Sequence, residues 1–199
     1  MKRLILLLAS TLFIFNLSNA VTYNSNPEIF ISELANDAIK ILSDKSTSKE
    51  QKSKSIEKIA LENVDVEALG LYSLGSIRKT LKPNELEKYN FLFEKYLLKN
   101  LTSRLSDYSS SQFKVLSSEQ KSAKTTIVTS KIEGMDDQPD IDIDWRVYTK
   151  DPAKPLIRDL IVEGLSMARV QKEEFASILN SNNNNIEILF IKLEDFINK

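Results

Sequence analysis

Apolar residues recur every three or four positions through the first half of the chain, which is the spacing of amphipathic helices. We expect a first helix that begins at Asn26-Pro27, where the Asn side chain can cap the helix and Pro suits its first turn. A second helix carries its apolar stripe at residues 56–60, and Asp65 caps a short third helix that Gly75 ends. The longest helix is predicted over residues 83–105, where its apolar face is broad enough to be buried.

The pattern changes to alternation after residue 111, which is typical of strands with one buried face. Strands are predicted around residues 113–115, 125–130, 141–147 and 157–162. Gly164 lets the chain turn after the last of them. Helical spacing then returns in two stripes, the first from near Met167 to residue 179 and the second over 186–197. Helices, strands and helices in this order predict one α+β domain, with an antiparallel sheet of about four strands packed against N-terminal and C-terminal helices.

Residues 1–20 have the pattern of an export signal. Lys2 and Arg3 precede a short apolar run over residues 4–15, and Ser18-Asn19-Ala20 supplies the small residues that signal peptidases cut after. The run is too short for a comfortable transmembrane span. We therefore expect cleavage after Ala20 and a soluble exported domain over residues 21–199.

Composition narrows the possible functions. The chain has 27 Lys and Arg against 28 Asp and Glu, so it lacks the basic surplus that nucleic-acid binding requires. It has no Cys, which excludes disulfides and a lipoprotein anchor, and no His, which removes the commonest general base and metal ligand. We expect a protein that is not an enzyme, with no metal and no cofactor.

Two features nevertheless suggest a metal site or catalysis, and each has a structural alternative. Asp140, Asp142 and Asp144 share one strand face, as in a metal or acid–base cluster, but a solvated face that protects the sheet from aggregation is the favoured interpretation. Ser166 lies near Glu163 and suggests a nucleophile. The chain lacks the G-x-S-x-G elbow around it, so a structural role at the strand-to-helix turn is favoured.

Taken in order, these segments resemble the MlaC family, also called the toluene-tolerance family, of periplasmic phospholipid carriers. Val64-Asp65 followed by residues 74–78 is similar to the family's VD…LG..WR segment. Residues 159–167 are similar to its VEG(V/I)S signature, with Gln138-Pro139 before the third strand. Ile77 and Pro155 stand where the family usually has Trp.

The resemblance implies a twisted sheet and helices that enclose an apolar pocket for the acyl tails of a phospholipid. The apolar strand faces and the long helix are the candidate tail contacts, and plain core packing is the alternative for each residue. The residues assigned to the tails are Leu74, Ile77, Phe93, Leu97, Leu101, Val147, Leu160, Val162, Leu165 and Met167. Arg78 and Lys79 are assigned to the headgroup or to a partner, and a solvated surface is their alternative.

The same resemblance implies a role in lipid transport that maintains the lipid asymmetry of the outer membrane. The transported ligand is phospholipid. The implied partners are an inner-membrane ABC transporter complex and an outer-membrane lipoprotein–porin complex, and we expect a monomer in the periplasm. The alternative function is a periplasmic adaptor or chaperone-like protein whose apolar groove binds a protein segment.

Overall fold

A computed structural model describes residues 22–105, 112–134 and 139–199 of the 199-residue chain. The predicted signal peptide lies outside the described residues, as do the Ser-rich residues 109–111 where the alternating pattern begins. The sequence Gly134-Met135-Asp136-Asp137 predicts a turn, and its last three residues and Gln138 are also outside. In the described part, the helices are α1 (Pro27–Ser43), α2 (Lys49–Asn63), α3 (Val66–Ser73), α4 (Pro83–Leu105), α5 (Met167–Asn180) and α6 (Ile186–Ile197). None of them combines the length and the apolar character needed to cross a bilayer.

The predicted helix caps at Asn26 and Asp65 are confirmed, and the structure adds a cap at Ser48. The Asn26 side chain accepts hydrogen bonds from the Glu28 and Ile29 amides at 2.9 and 3.2 Å. Ser48 and Gln51 form a reciprocal capping box at the start of α2, and Asp65 accepts from the Ala68 amide at the start of α3. Gly75, with φ of +61°, follows α3 and starts a short 3₁₀ helix that reaches Lys79.

The strands form one antiparallel sheet in sequence order. They are β1 (Gln112–Ser122), β2 (Thr125–Glu133), β3 (Ile141–Tyr148), β4 (Leu156–Val162) and β5 (Leu165–Ser166). About four strands were predicted, and the fifth is a two-residue strand. A tight turn leads into β5, with positive φ at Glu163 (+49°) and Gly164 (+77°), and such a turn matches the twist of a two-residue hairpin.

An extra residue in β4 sets which side chains share a face of the sheet. Arg146 pairs with Asp159, and Val147 pairs with Ile157, so Arg158 has no partner of its own in β3. This bulge places Ile157 and Leu160 on the same face although they are three residues apart. It also turns Arg158 away from the sheet ladder.

Two apolar cores hold the fold together. In the first, Phe30, Ile31 and Leu34 of α1 pack against one face of the sheet, where Val128 and Val147 are fully buried. The second lies among the helices and contains Leu74 and residues of α4, α5 and α6. Its centre is aromatic, with Phe175 in ring contact with Tyr89, Phe93 and Tyr96.

Strand β4 joins the two cores through paired charges. The Arg158 guanidinium donates to Asp65 Oδ2 from Nε at 2.8 Å and lies 2.7 Å from it through a second nitrogen. The same guanidinium stacks 3.2 Å from the centre of the Tyr148 ring. The Asp65 amide also donates to the Ile157 carbonyl at 2.9 Å. These contacts fix the start of α3 against the edge of the sheet.

Asp65→Ala is expected to lower the free energy of unfolding by about 2 kcal/mol, because it removes both the helix cap and the partner of Arg158. Asp65→Asn keeps a capping oxygen and is expected to cost about half as much. Urea unfolding followed by circular dichroism measures both values. Equal losses for the two variants would contradict a separate contribution from the ion pair.

Candidate functional site

One face of the sheet presents apolar side chains in register across three strands. Val128, Trp145 and Leu160 form one cross-strand row of this face. The next row contains Ser130, Ile143, Val162 and Leu165. We call these two rows, together with Val147 and Ile157 of the adjoining row, the apolar face.

Exposure increases along the apolar face from α1 towards β5. Val128 and Val147 are completely buried beneath α1, and Ile157 is 4% exposed. Ile143, Trp145, Leu160 and Val162 are half-buried, and Leu165 at the far edge is 54% exposed. The apolar face is therefore covered at one end and accessible at the other.

Ser130, the polar side chain among the residues of the apolar face, is hydrogen-bonded within the sheet. Trp145 Nε1 donates to Ser130 Oγ at 2.7 Å, and Ser130 Oγ donates to the Ile143 carbonyl at 3.1 Å. The Phe113 ring meets the Trp145 ring edge to face, with 6.1 Å between their centres. This end of the sheet therefore presents aliphatic and aromatic carbon to a ligand.

Exposed apolar side chains continue from the open end of this face into α5. Leu165, Met167 and Val170 are 54%, 36% and 43% exposed, and we call them the apolar rim. Tyr96 Oη donates to Gln171 Oε1 at 2.7 Å, which fastens α4 to α5 beside the rim. Exposed apolar side chains on adjoining elements are typical of a surface that meets a ligand or a partner.

The structure divides the predicted tail contacts into two groups. Val147, Leu160, Val162 and Leu165 share the apolar face, and Met167 belongs to the adjoining rim. The others lie on the helical side: Leu74 and Phe93 are buried in the helical core, Ile77 and Leu97 pack against it, and Leu101 is half-buried on α4. Ile143 and Trp145 belong to the apolar face although they were not among the predicted contacts, and the alternation of β3 is the signal that could have included them.

The two predicted headgroup residues lie at the 3₁₀ helix and are both exposed. The Arg78 guanidinium turns back onto its own segment, where Nη1 donates to the Gly75 carbonyl at 2.5 Å and to the Leu71 carbonyl at 3.2 Å. Nearby, Lys172 of α5 lies over the ring of Tyr72 of α3, with Nζ 5.2 Å from the ring centre. Positive charge thus gathers where α3 and α5 meet.

The surface also contains two open depressions away from the apolar face. One of about 430 Å³ lies at the β3–β4 connection, and one of about 380 Å³ lies between α1 and α2. None of the predicted tail contacts lines either depression. Charged residues line both depressions, so neither is suited to acyl chains.

The aspartates of β3 and Asp140 just before it form side-chain pairs, and Asp142 and Asp144 lie on the opposite face of the sheet. Asp144 accepts from Thr129 Oγ1 at 2.7 Å, and Lys131 Nζ lies 3.1 Å from Asp140 and 3.8 Å from Asp142. The Gly134 amide and Lys131 lower the pKa of Asp140. No group of three potential metal ligands occurs in the described part of the chain.

Ser166 is a helix cap in this structure. Its Oγ accepts from the Arg169 amide at 3.1 Å and donates to Asp159 Oδ2 at 2.6 Å. Asp159 is 5% exposed and also accepts from the Ala168 amide at 3.0 Å. The arrangement satisfies the first amides of α5, which agrees with the structural role expected for Ser166.

Comparisons with known proteins agree with this architecture. The family model described as MlaC protein matches residues 32–195. The fold is similar to that of a phospholipid-binding protein from Ralstonia solanacearum, solved in complex with a phospholipid at 1.53 Å. The TM-score is 0.72 and the sequence identity 14%, over 87% of this chain and 97% of that one. No curated protein sequence matches the chain.

Proposed function

Because the chain belongs to the MlaC family, we propose that it is a periplasmic carrier of phospholipid without catalytic activity. The observation that supports this most directly is the apolar face, which runs from a buried end under α1 to an accessible end at the apolar rim. A surface of this kind can cover acyl tails while the polar headgroup stays in water.

The free energy of exposing acyl chains to water explains why such a lipid needs a carrier. Two acyl chains contain roughly 30 CH₂ groups, and each is worth about 0.8 kcal/mol when it leaves water. Exposure of both chains would cost on the order of 25 kcal/mol, so unassisted crossing of the aqueous periplasm is negligible. A carrier has to replace most of that apolar contact, and it has to release the lipid at a docking partner rather than into water.

We assign the tail contacts to the apolar face, with Trp145 and Ile143 added to Val147, Leu160, Val162 and Leu165. We propose Leu97 and Leu101 of α4 as tail contacts from the helical side, and Met167 as a residue of the entrance. Leu74, Ile77 and Phe93 support this helical wall from behind, since Leu74 and Phe93 are less than 5% exposed. Arg78 and Lys79 supply positive charge for the phosphate or for a partner.

The proposed partners are an outer-membrane lipoprotein–porin complex and an inner-membrane ABC transporter complex. A monomer exported with its signal peptide removed would move phospholipid between them and so maintain outer-membrane lipid asymmetry. The rival function is an adaptor, in which the exposed rim at Leu165, Met167 and Val170 holds an apolar segment of another protein.

Delivery of a labelled lipid separates these functions. The protein is loaded with radiolabelled phospholipid, repurified, and mixed with inner-membrane or outer-membrane vesicles of the source bacterium. We expect label to move to at least one of these membranes and to stay with the protein when the vesicles are made of the same lipids without protein. Failure to hold label would overturn the carrier function, and retention without delivery to either membrane would overturn the shuttling role.

A further inference from the structure

The surface depression at the β3–β4 connection lies on the polar side of the sheet, opposite the apolar face. Its lining combines the apolar parts of Tyr148, Pro152 and Leu156 with Lys150, Asp151 and Lys154. Tyr148 and Leu156 are directly paired across β3 and β4, so their side chains share one face. Arg158 covers one side of the Tyr148 ring and keeps it in place. The depression therefore has a fixed floor of aromatic and aliphatic carbon.

The charge around the depression is positive and unpaired. Lys124 adjoins it in the next connection, because its carbonyl accepts from the Thr149 amide at 3.0 Å. Lys124, Lys150 and Lys154 are exposed, and in the described part of the chain none of their ammonium groups forms an ion pair. The single acid in the lining, Asp151, accepts from the Ala153 amide at 2.9 Å. Three lysines against one aspartate leave a local surplus of positive charge.

We propose that this depression is a docking site for an acidic segment of a partner protein, with one apolar side chain inserted on the Tyr148–Leu156 floor. A volume of about 430 Å³ suits a single large side chain and its neighbours. Carboxylates on either side of the anchor would meet the lysines at the edge of the depression. Such charges speed encounter and select the partner, and the buried anchor provides affinity.

The surroundings favour a protein segment over an anionic membrane. The same side of the sheet carries Asp140, Asp142 and Asp144 at its other end, where Lys131 and Arg146 are the neighbouring cations. The carboxylates outnumber these cations, so that end would not attract an anionic bilayer laid across it. A short segment can occupy the depression without reaching these carboxylates. The site also lies about 17 Å along the strand from Ile143 and on the opposite face, since each residue advances about 3.3 Å. A docked partner would therefore leave the apolar face free.

Fluorescence anisotropy with a short synthetic peptide, rich in glutamate and with one central tryptophan, tests the site. We expect Lys150→Glu with Lys154→Glu to weaken binding about tenfold, as expected from two exposed charge contacts. The control pair Lys45→Glu with Lys192→Glu makes the same charge change on exposed residues elsewhere and is expected to leave binding within about twofold. Lys150→Gln with Lys154→Gln is expected to give an intermediate loss.

A change in the peptide tests whether the depression binds the peptide's apolar side chain. Replacing the peptide's tryptophan by serine is expected to weaken binding clearly, because the floor loses its anchor. Equal binding of both peptides, or equal losses in the two lysine pairs, would overturn the proposal. So would binding to phosphatidylglycerol vesicles that depends on Lys150 and Lys154 while the peptide does not bind. Retention of phospholipid, measured on the same samples, is expected to stay unchanged in all variants, which separates this site from the carrier function.

Discussion

Val162→Glu is expected to reduce the phospholipid that purifies with the protein to below about a tenth of the wild-type amount. Val162 lies on the apolar face directly between Ile143 and Leu165. A carboxylate there would have to lose water against acyl chains without an opposite charge to pair with. In the lipid-free protein the half-buried side chain can still reach solvent, so the fold is expected to survive.

The matched control is Ile127→Glu, which adds the same charge to a half-buried position on the other side of the sheet. Ile127 pairs with Arg146 of β3 on one side and with Glu119 of β1 on the other, and Glu119 already forms an ion pair with Lys121. The new carboxylate therefore has Arg146 as a neighbouring cation. Lipid retention is measured by organic extraction and phosphate assay, and folding by thermal unfolding. If Val162→Glu unfolds normally and keeps its lipid, or if both variants lose it equally, the apolar face is not the tail-binding surface.

Asp159→Ala is expected to lower the free energy of unfolding by about 3 kcal/mol, the largest stability effect of a single substitution that we anticipate here. The carboxylate is 5% exposed and accepts from Ser166 Oγ at 2.6 Å and from the Ala168 amide at 3.0 Å. Arg146 lies 3.7 Å away on the neighbouring strand. Removal of the carboxylate leaves a buried amide and the start of α5 without their acceptor.

Asp142→Ala is the control for this effect. Asp142 is an aspartate of the adjacent strand whose side chain is 65% exposed and 3.8 Å from its lysine partner. Its removal is expected to change the free energy of unfolding by less than about 0.5 kcal/mol. Urea unfolding of the two variants gives the comparison. Similar small losses in both would mean that Asp159 does not hold α5 against the sheet.

The faces of the sheet could be predicted because alternation is a local property of the sequence. Ile141, Ile143, Trp145 and Val147 alternate with charged residues, and the structure places the last three of these on the apolar face, as the period of two requires. The caps at Asn26 and Asp65 were also predictable, since a helix cap involves only a few neighbouring residues.

Other features depend on contacts between distant parts of the chain. Asp65 meets Arg158, 93 residues away, and only the bulge in β4 turns that arginine towards it. The amphipathic stripe of α4 predicts that one face is buried but cannot say against what, and Phe93 packs on Phe175 of α5. Strand β5 is two residues long, which is too short to show any periodicity.

Native mass spectrometry of the protein purified from a bacterial periplasm tests most directly whether the protein carries phospholipid. We expect a mass excess that separates as phospholipid on fragmentation, and its size gives the number of acyl chains held. The claim would be contradicted by a bare protein mass that persists after incubation with phospholipid vesicles and membranes of the source bacterium. That result would favour the adaptor, with the rim at Leu165, Met167 and Val170 binding a protein segment instead of a lipid.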